Sequence, residues 1–417
     1  MWSLLPVLAL AAATFASPVT TRDDRPKYIP GKYLVQLRTG VDAAAVASHH
    51  DSVRRLARRN ELHEPIERTF SIGSLNAYLG DFDDQAAAEI LNLDEVLSVV
   101  PDQYIYLEKT DFPPAEPQRR ALTTQSPSIW SLGDLSHKQA GATEYVYDDS
   151  AGEGQTVYVF DTGIRLTHQE FEGRARFGIN GITGSTDPSG ASDDTDGHGT
   201  HCAATVGGKT YGSAKKASIV DVKIFNGATG STSWSLAGLE WAVADVVARG
   251  AQNSSVFSMS FGANTVETLF DTAVIAAYDA GILSVVAAGN GNQPIGNQTP
   301  ARVPQAFTVG MTQPDRGRVN IITDIYGSNF GPEMDAFAPG RDIVSASHLS
   351  DTGTALKTGT SMATPLVAGL VAYLRALEGG LGSPDAVSQR ILQLALKDVV
   401  TDPRGSPNVL VNNGSGA

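Results

Sequence analysis

Three segments of the chain carry residue types that together could activate a hydroxyl group for attack on a carbonyl. Ser361 lies in Gly-Thr-Ser-Met-Ala-Thr-Pro and opens an apolar, alanine-rich run, which is typical of a side chain at the first turn of a buried helix. His198 lies in Gly-His-Gly-Thr-His-Cys-Ala, and Asp161 follows the β-branched and aromatic run Thr156–Phe160. A hydroxyl needs a base, and the base needs an orienting carboxylate, so these residues predict a Ser-His-Asp arrangement.

Each of these residues also has a simpler interpretation. Asp161 alone fits a turn at a strand end, and Ser361 alone fits a helix N-cap. His198 and His201 are three residues apart and could bind a metal, but the sequence has no His-Glu-x-x-His and no further histidine cluster with ligand spacing. Cys202 could be the nucleophile of a Cys-His protease, which would leave Ser361 without a role.

Asn290 is a candidate for stabilising the oxyanion that such an attack would form. Acyl transfer needs hydrogen-bond donors aimed at the oxyanion of the intermediate. The side-chain amide of Asn290, in Val-Val-Ala-Ala-Gly-Asn, is one candidate, and the backbone N–H of Ser361 at a helix N-terminus is the other.

The elements that must position these residues alternate between strands and helices after Ala121. Such alternation predicts an α/β domain with a mainly parallel sheet covered by helices on both faces. Asp161 and Asn290 follow strands directly, which places them at the carboxyl edge of the sheet, where sites of open α/β sheets lie. The predicted strands are Thr156–Phe160, Ser218–Phe225, Val256–Phe261 and Ile282–Ala288, and the predicted helices are Trp234–Arg249 and Glu267–Ala280.

A smaller module precedes this domain. Its pattern predicts a small α+β, ferredoxin-like unit of the βαββαβ type. The predicted strands are Lys32–Arg38, Asn76–Gly80, Val96–Val100 and Tyr104–Leu107, and the predicted helices are Ala43–Arg59 and Gln85–Leu93.

The remaining segments suggest how the chain is divided. Residues 1–16 form an apolar run that ends in small residues, which is typical of a signal peptide, although a buried N-terminal helix is the alternative. We assign residues 17–108 to the small domain and the Pro- and charge-rich residues 109–120, which end in Arg119–Arg120, to a linker. Residues 121–417 form the main domain.

Composition excludes several classes of function. The net charge of −14 argues against nucleic acid as a partner, because the phosphate backbone favours basic surfaces. No segment after the N-terminal run is apolar enough to predict a membrane span. The single cysteine excludes a disulfide within the chain. The signal-like N-terminus predicts secretion to the extracellular space, with which the glycosylation triplets at Asn253, Asn297 and Asn413 are compatible.

The chemical segments together resemble the subtilisin-like serine proteases, specifically the proteinase K group of secreted fungal enzymes. The resemblance rests on Asp-Thr-Gly-Ile at Asp161, Gly-His-Gly-Thr-His-Cys-Ala at His198, Ala-Ala-Gly-Asn at Asn290 and Gly-Thr-Ser-Met-Ala-Thr-Pro at Ser361. It extends from about residue 123 to the C-terminus, and residues 27–107 resemble the inhibitory propeptide of that family.

The resemblance implies a secreted serine endopeptidase that is synthesised as a zymogen and inhibited by its own propeptide. His198 rather than His201 is then the catalytic base, with Asp161 and Ser361 as its partners and Asn290 in the oxyanion hole. Cleavage near Arg120 would mature the enzyme. Its partners would be protein or peptide substrates and the propeptide. We expect a monomer that needs no cofactor for its chemistry.

The chain departs from the family pattern at the substrate pocket. The usual Ser-Leu-Gly-Gly is replaced by Ser-Met-Ser-Phe-Gly at residues 258–262. The family pattern therefore does not predict the shape of the substrate pocket in this chain. The predicted substrate-binding residues are Ser260, Phe261, Gly262, Ala288 and Gly289.

A structural calcium ion is a further open point. The calcium-binding aspartate of the family aligns with Asp315 or has been lost to Gln313. Two other functions also remain open: a binding or inhibitory protein on an inactive protease scaffold, and a processing protease with few substrates.

Overall fold

A computed structural model describes residues 27–57, 65–106, 125–188, 193–320 and 326–417 of the chain. The predicted signal peptide at residues 1–16 and the linker at residues 109–120 lie outside the described residues. The domain boundaries that they define therefore stay predictions.

The N-terminal domain has the predicted βαββαβ order. Its strands form an antiparallel sheet in the order β2-β3-β1-β4, against which the two helices pack. This is the ferredoxin-like arrangement that the sequence pattern predicts. The elements are β1 (Tyr28–Leu37), α1 (Ala43–Ala57), β2 (Ile66–Ile72), β3 (Leu75–Asp81), α2 (Asp84–Leu91) and β4 (Val96–Tyr106).

Two strand predictions in this domain were wrong. The strand β2 was missed, because half of its residues are polar and no strong apolar run marks it. The two strands predicted at residues 96–100 and 104–107 are one strand, β4, which continues through Pro101. Proline is tolerated there because the pairing of β1 with β4 is irregular between Tyr28 and Tyr33, opposite Pro101.

The C-terminal domain contains the remaining elements. They are α3 (Trp130–Ser136), β5 (Thr156–Asp161), β6 (Ala175–Asn180), α4 (His198–Gly207), β7 (Ser218–Lys223), β8 (Phe225–Asn226), β9 (Thr229–Ser231), α5 (Thr232–Ala248), β10 (Ser255–Met259), α6 (Thr268–Asp279), β11 (Leu283–Ala287), β12 (Phe307–Thr312), β13 (Ala336–Pro339), β14 (Ile343–Ala346), β15 (Thr354–Lys357), α7 (Thr360–Leu377), α8 (Pro384–Leu394), β16 (Leu396–Lys397) and β17 (Val409–Leu410).

A nine-stranded sheet forms the centre of this domain and confirms the predicted α/β class. Its order is β16-β17-β13-β12-β11-β10-β5-β7-β6, and every neighbouring pair except β16 and β17 is parallel. Alternate residues of β5 enter two different cores. Val157 and Val159 pack with α4 and α7, whereas Tyr158 and Phe160 pack with α5 and α6, so helices cover both faces.

Helix α7 is the central helix of one core. Among the described residues it is the one helix long and apolar enough, by composition alone, to cross a membrane. Its apolar residues are instead buried against α4 and the strands β10 to β13. Its apolar character therefore reflects burial inside the protein.

The two domains are joined by strand pairing. The end of β4 pairs antiparallel with β9, with Tyr104 opposite Ser231, and β9 pairs with β8. The N-terminal sheet thus gains two strands from the C-terminal domain. Helices α5 and α6 also contact β2, so the small domain packs against both helices as well as against β9.

Close packing of α7 depends on Gly369. A Cβ atom at this position would lie 2.0 Å from Ser213 Oγ and 2.7 Å from the carbonyl oxygen of Val206. We predict that Gly369→Ala lowers the free energy of unfolding by about 1–3 kcal/mol, because the helix must move away from its neighbours. Chemical unfolding of a chain carrying Ser361→Ala, which prevents self-digestion, measures the change.

Gly379 provides the control for this prediction. A Cβ atom at Gly379 would meet no atom within 4 Å. Gly379→Ala should therefore leave stability nearly unchanged. Equal unfolding free energies for the two variants would contradict the assigned role of Gly369.

Candidate active site

Two elements, β5 and α4, bring Asp161 and His198 together. Asp161 ends β5, and His198 is the first residue of α4. The Nδ1–H of His198 donates to Asp161 Oδ1 at 2.7 Å, and both side chains are buried. Asp161 Oδ1 also accepts from the backbone N–H of Thr162 at 2.8 Å, in the turn that leads away from β5. With its proton on Nδ1, His198 presents Nε2 as the basic nitrogen.

Pro365 determines how Ser361 is held at the start of α7. Proline has no backbone N–H, so the carbonyl oxygen of Ser361, four residues earlier, lacks its helical donor. Two side chains take the place of that donor: Ser260 Oγ donates at 3.0 Å and Cys202 Sγ at 3.3 Å. The first turn of α7 is therefore fixed to the end of β10 and to α4.

The hydroxyl of Ser361 is not hydrogen-bonded to His198 in this structure. Ser361 Oγ donates to the carbonyl oxygen of Ser260 at 2.9 Å, and His198 Nε2, although buried, has no hydrogen-bond partner. Catalytic hydrogen bonds are often misaligned without substrate. A rotation about the Cα–Cβ bond of Ser361 would release its hydroxyl from Ser260.

The side chain of Asn290 is oriented by Thr360. Asn290 Oδ1 accepts from the backbone N–H of Thr360 at 2.8 Å and from its hydroxyl at 3.0 Å. Both acceptor positions of the amide oxygen are thereby used, which leaves the NH₂ group as a donor. Thr360 was not assigned a role from the sequence, although its place directly before Ser361 offered a signal.

The charges around His198 distinguish it from its neighbours. Burial by itself would lower the pKa of His198, but Asp161 raises it well above its ordinary range. Burial lowers the pKa of His201 to about 3, and His201 Nε2 donates to the carbonyl oxygen of Ile343. His201 is therefore neutral and structural, in agreement with its predicted non-catalytic position.

Cys202 lies beside the histidine as a thiol. Its Sγ is 3.8 Å from His198 Nδ1, and burial raises the pKa of the thiol. Its S–H donates to the carbonyl oxygen of Ser361. Because Nδ1 of His198 is already bonded to Asp161, Cys202 has the surroundings of a structural thiol rather than of a nucleophile.

A second carboxylate, Asp194, fixes the start of α4. It accepts from the Thr162 hydroxyl at 2.8 Å, from the backbone N–H of Gly197 at 2.7 Å, and from Thr200 through both its N–H and its hydroxyl. Burial by itself would raise the pKa of Asp194, but these hydrogen bonds lower it. The residue links the turn after Asp161 to the helix that carries His198. Sequence reasoning did not assign it a role.

A cavity opens between the ends of β10 and β11, beside Ser361 and Asn290. The predicted residues Ser260, Phe261, Gly262 and Gly289 contribute to its lining. The remaining lining residues, which sequence reasoning did not assign, are Asn264, Ala287, Gln298, Thr299, Ala301 and Thr360.

Phe261 changes the pocket less than its size suggests. Its ring packs against the rings of Phe225 and Phe270, with centroids 5.5 and 5.8 Å apart, and the residue is 5% exposed. The aromatic ring thus belongs mainly to the core beneath the cavity.

The adjacent residues Ala288 and Gly289, both predicted to bind substrate, have different positions. Ala288 does not line this cavity, because it packs with Ile295 and Ala301 in a small apolar cluster. Gly289 has a φ of +94°, and a Cβ atom there would lie 2.4 Å from Asn329 Nδ2. Both backbone conformation and space therefore require glycine beside Asn290.

The residues at the predicted calcium position do not fit a calcium ion. Asp315 Oδ1 accepts from the N–H of Gly317, and its Oδ2 accepts from Gln313 Nε2. Gln313 Oε1 accepts from the Arg341 guanidinium at 2.7 Å. A single exposed carboxylate beside an arginine lacks the six to eight oxygen ligands that calcium prefers.

The three glycosylation candidates also differ. Asn253 and Asn297 are exposed. Asn413 is 1% exposed, and its Nδ2 donates to the carbonyl oxygen of Val146 at 2.8 Å. The expectation for Asn413 is thus contradicted by its position in the folded domain, since its amide nitrogen is buried and in use.

Comparison with known proteins agrees with this geometry. Residues 152–416 match the Subtilase family, and residues 32–108 match Peptidase inhibitor I9. The chain is 44% identical to "Alkaline protease 1" of Aspergillus clavatus and 43% identical to "Alkaline proteinase" of Hapsidospora chrysogena, in each case over 99% of this chain and 98% of the relative. A crystal structure of a cold-adapted subtilisin-like serine proteinase is 36% identical, with a TM-score of 0.62, and covers 69% of this chain and 99% of its own.

The chain belongs to the subtilase family of serine proteases. It is a serine endopeptidase that carries an N-terminal peptidase inhibitor I9 domain, the mark of a zymogen. The predicted family and fold are confirmed.

The bond between Asp161 and His198 generates a prediction about pH. We expect Asp161→Asn to lower kcat by about 10³–10⁴-fold, because the tautomer and the imidazolium of His198 lose their support. Activity should rise with pH as His198 loses its proton. Since Asp161 raises the pKa of His198, the acid limb of kcat/KM should move to lower pH in the variant. Initial rates on a peptide substrate across a pH series measure both effects.

Asp279, an exposed residue at the end of α6, offers a matched control. Asp279→Asn should reproduce the native pH profile. An Asp161→Asn enzyme with an unshifted acid limb would show that Asp161 does not set the pKa of His198.

Proposed function

We propose that the chain hydrolyses peptide bonds through Ser361, His198 and Asp161. Ser361 Oγ attacks the scissile carbonyl carbon while its proton passes to His198 Nε2. His198 then gives that proton to the leaving amine, and water hydrolyses the acyl-enzyme by the same route in reverse. The observation that carries the proposal is the buried His198–Asp161 hydrogen bond of 2.7 Å, beside a cavity lined by both Ser361 and Asn290.

Two hydrogen-bond donors stabilise the oxyanion. The NH₂ group of Asn290 is free to donate because Thr360 occupies its oxygen. The backbone N–H of Ser361, at the N-terminal end of α7, is the second donor. Both donors are held before substrate arrives, which reduces the reorganisation required in the transition state.

The cavity favours uncharged substrate side chains. Its lining residues include no charged side chain, and its polar side chains are all uncharged hydroxyls and amides, among them Asn264, Gln298 and Thr299. A buried charge without a partner is costly, so we expect neutral residues before the scissile bond.

Alkaline conditions suit this site. Relatives of the chain are called alkaline proteases. The raised pKa of His198 supports the same working range here, because the base must be neutral to accept the Ser361 proton. We infer that the enzyme is secreted and acts outside the cell on protein or peptide substrates.

Removal of Ser361 tests the proposal. Ser361→Ala should lower kcat by about 10⁴-fold or more and abolish labelling by a fluorophosphonate probe, because the attacking oxygen is gone. Casein degradation by the purified mature protein and mass spectrometry of the labelled serine give the two readings.

The exposed Ser350 is the control. Ser350→Ala should retain both activity and labelling. Full casein-degrading activity in Ser361→Ala would refute the proposed mechanism, and an inert native protein would favour the alternative of an inactive scaffold.

We further propose that the N-terminal domain inhibits the enzyme until it is released, and that its docking depends on pH. Asp102 of β4 is 1% exposed and accepts from Ser233 in the first turn of α5, at 3.1 Å from the N–H and 2.6 Å from the hydroxyl. Burial raises the pKa of Asp102 from 3.8 to about 6, and burial raises that of the neighbouring Glu267 to about 7.

These shifts fix the direction of the pH dependence. A carboxyl group whose pKa rises on docking contributes most to the free energy of docking at a pH below its pKa in the undocked state. The contribution is lost as the pH rises through its pKa in the docked state. Docking should therefore weaken between about pH 4 and pH 7. The shift of Asp102 alone corresponds to about 3 kcal/mol at most, or about 100-fold in affinity.

The prediction can be tested in a full chain carrying Ser361→Ala. Hydrogen exchange of the β4–β9 amides, corrected for intrinsic rates, should show more undocking at pH 7 than at pH 4. Asp102→Asn should remove most of the change between pH 4 and pH 6, since asparagine keeps the acceptor but cannot ionise. The exposed Asp94 gives the control Asp94→Asn. An unaltered pH dependence in Asp102→Asn would contradict the role of Asp102.

A further inference from the structure

Strand β7 carries a carboxyl group next to the proposed triad. In the parallel pairing of β5 with β7, Asp221 lies opposite Val159 and Lys223 lies opposite Asp161. Paired residues of parallel strands point to the same face of the sheet. Asp221 and Lys223 therefore share with Asp161 the face that is covered by α4 and α7.

Both side chains hold the turn that follows Asp161. Asp221 Oδ2 accepts from the backbone N–H of Ile164 at 3.2 Å. Lys223 Nζ donates to the carbonyl oxygen of Thr162 and, at 3.2 Å, to that of Asp193. The turn is thus tied at two points to the neighbouring strand, immediately after the carboxylate that orients His198.

The surroundings of Asp221 contain more acids than bases. It is completely buried, and its Oδ1 has no hydrogen-bond partner among the residues that the structure describes. The groups whose charges act on it are Lys223 of its own strand, Asp194 of the segment before α4 and Asp161 of β5. On its other side, β6 places the apolar Phe177 opposite it.

These surroundings favour the neutral form of the carboxyl. Burial raises the pKa of Asp221 well above its ordinary range, and the one cation, Lys223, only opposes that rise. The negative charges of Asp194 and Asp161 raise it further. The single positive charge of Lys223 cannot compensate negative charges on Asp161, Asp194 and Asp221 together. The carboxyl group that accepts the fewest hydrogen bonds therefore keeps its proton.

We propose that Asp221 is a positioning residue for the triad. As a neutral carboxylic acid, Asp221 anchors the turn after Asp161 and adds no second negative charge beside the Asp161–His198 pair. The proposal rests on the proposed role of Asp161. A charged Asp221 would stabilise the imidazolium of His198 and hold the base in its protonated form to higher pH. A side chain without an acceptor would leave the Ile164 N–H unpaired and loosen the turn.

Two substitutions separate the charge of Asp221 from its hydrogen bond. Asp221→Asn keeps an acceptor for Ile164 but cannot ionise, whereas Asp221→Leu has a similar volume and no acceptor. A matched control is Asp335, a half-buried carboxyl of the same domain whose Oδ2 accepts from the N–H of Thr308 at 2.7 Å. Burial raises the pKa of Asp335 to about 6, and no triad residue contributes to that shift.

The pH dependence of kcat/KM for the mature enzyme is the main measurement. We expect the acid limb of Asp221→Asn to stay within about 0.3 unit of the native limb, since no charge is removed. We expect Asp221→Leu to lose about tenfold or more in kcat with KM nearly unchanged, and Asp335→Asn to change neither quantity. Rescue by asparagine but not by leucine is the signature of positioning.

Two results would overturn the proposal. A shift of the acid limb to lower pH by about one unit in Asp221→Asn would show that native Asp221 is charged. Equal kcat in Asp221→Leu and in the native enzyme would show that the turn needs no anchor there. If Asp221→Leu does not accumulate as a folded protein, Asp221→Ala replaces it, because alanine adds no bulk.

Infrared spectroscopy tests the neutral form independently of activity. In the full chain carrying Ser361→Ala at neutral pH, Asp221→Asn should remove a carbonyl stretching band of a protonated carboxylic acid. Because other buried acids such as Glu267 contribute to the same spectral region, the measure is the difference between the two spectra, and a band of unchanged intensity would contradict the proposal. Failure of the triad assignment is distinguishable, because it would appear as retained activity in Asp161→Asn whatever the outcome at Asp221.

Discussion

The buried hydrogen bond between His198 and Asp161 is the constraint around which the domain is organised. An ionisable pair at this depth is stable only when its geometry is fixed and its remaining polar atoms are supported. The support comes from separate elements: β5 ends at Asp161, α4 begins at His198, and Asp194 connects the two segments through hydrogen bonds. The parallel sheet makes this possible, because it brings the ends of several strands to one edge.

Much of the site could be predicted from the sequence, because its main residues lie in local patterns. Asp161 and Asn290 follow strands, and His198 and Ser361 open helices, so neighbouring residues reveal their positions. The supporting contacts could not be predicted, since they join distant segments. Nothing near Asp221 in sequence indicates that its carboxyl meets the Ile164 N–H across a strand pair. The direction of the Phe261 ring, the resting bond of Ser361 and the polar strand β2 likewise depend on tertiary packing.

The N-terminal domain contacts the C-terminal domain through a strand pair and a helix N-terminus. β4 pairs with β9, and Asp102 accepts from the backbone N–H of Ser233 in the first turn of α5. A helix N-terminus attracts a carboxylate, yet the burial that accompanies docking opposes its ionisation. On the proposed docking, the contact is weaker at neutral pH than its hydrogen bonds alone suggest, since burial raises the pKa of Asp102.

Buried carboxyls in this domain differ in charge because they differ in hydrogen-bond donors. Asp194 receives five hydrogen bonds, and its pKa is lowered despite burial. Asp221 receives one, and its pKa is raised. The two residues lie within reach of each other's charge, so the donors assign the negative charge to Asp194 and the proton to Asp221. This division matters for the base of the proposed triad. On the proposed assignment, an uncharged Asp221 leaves Asp161 as the carboxylate bonded to His198, and the burial of Asp221 opposes a second negative charge beside that pair.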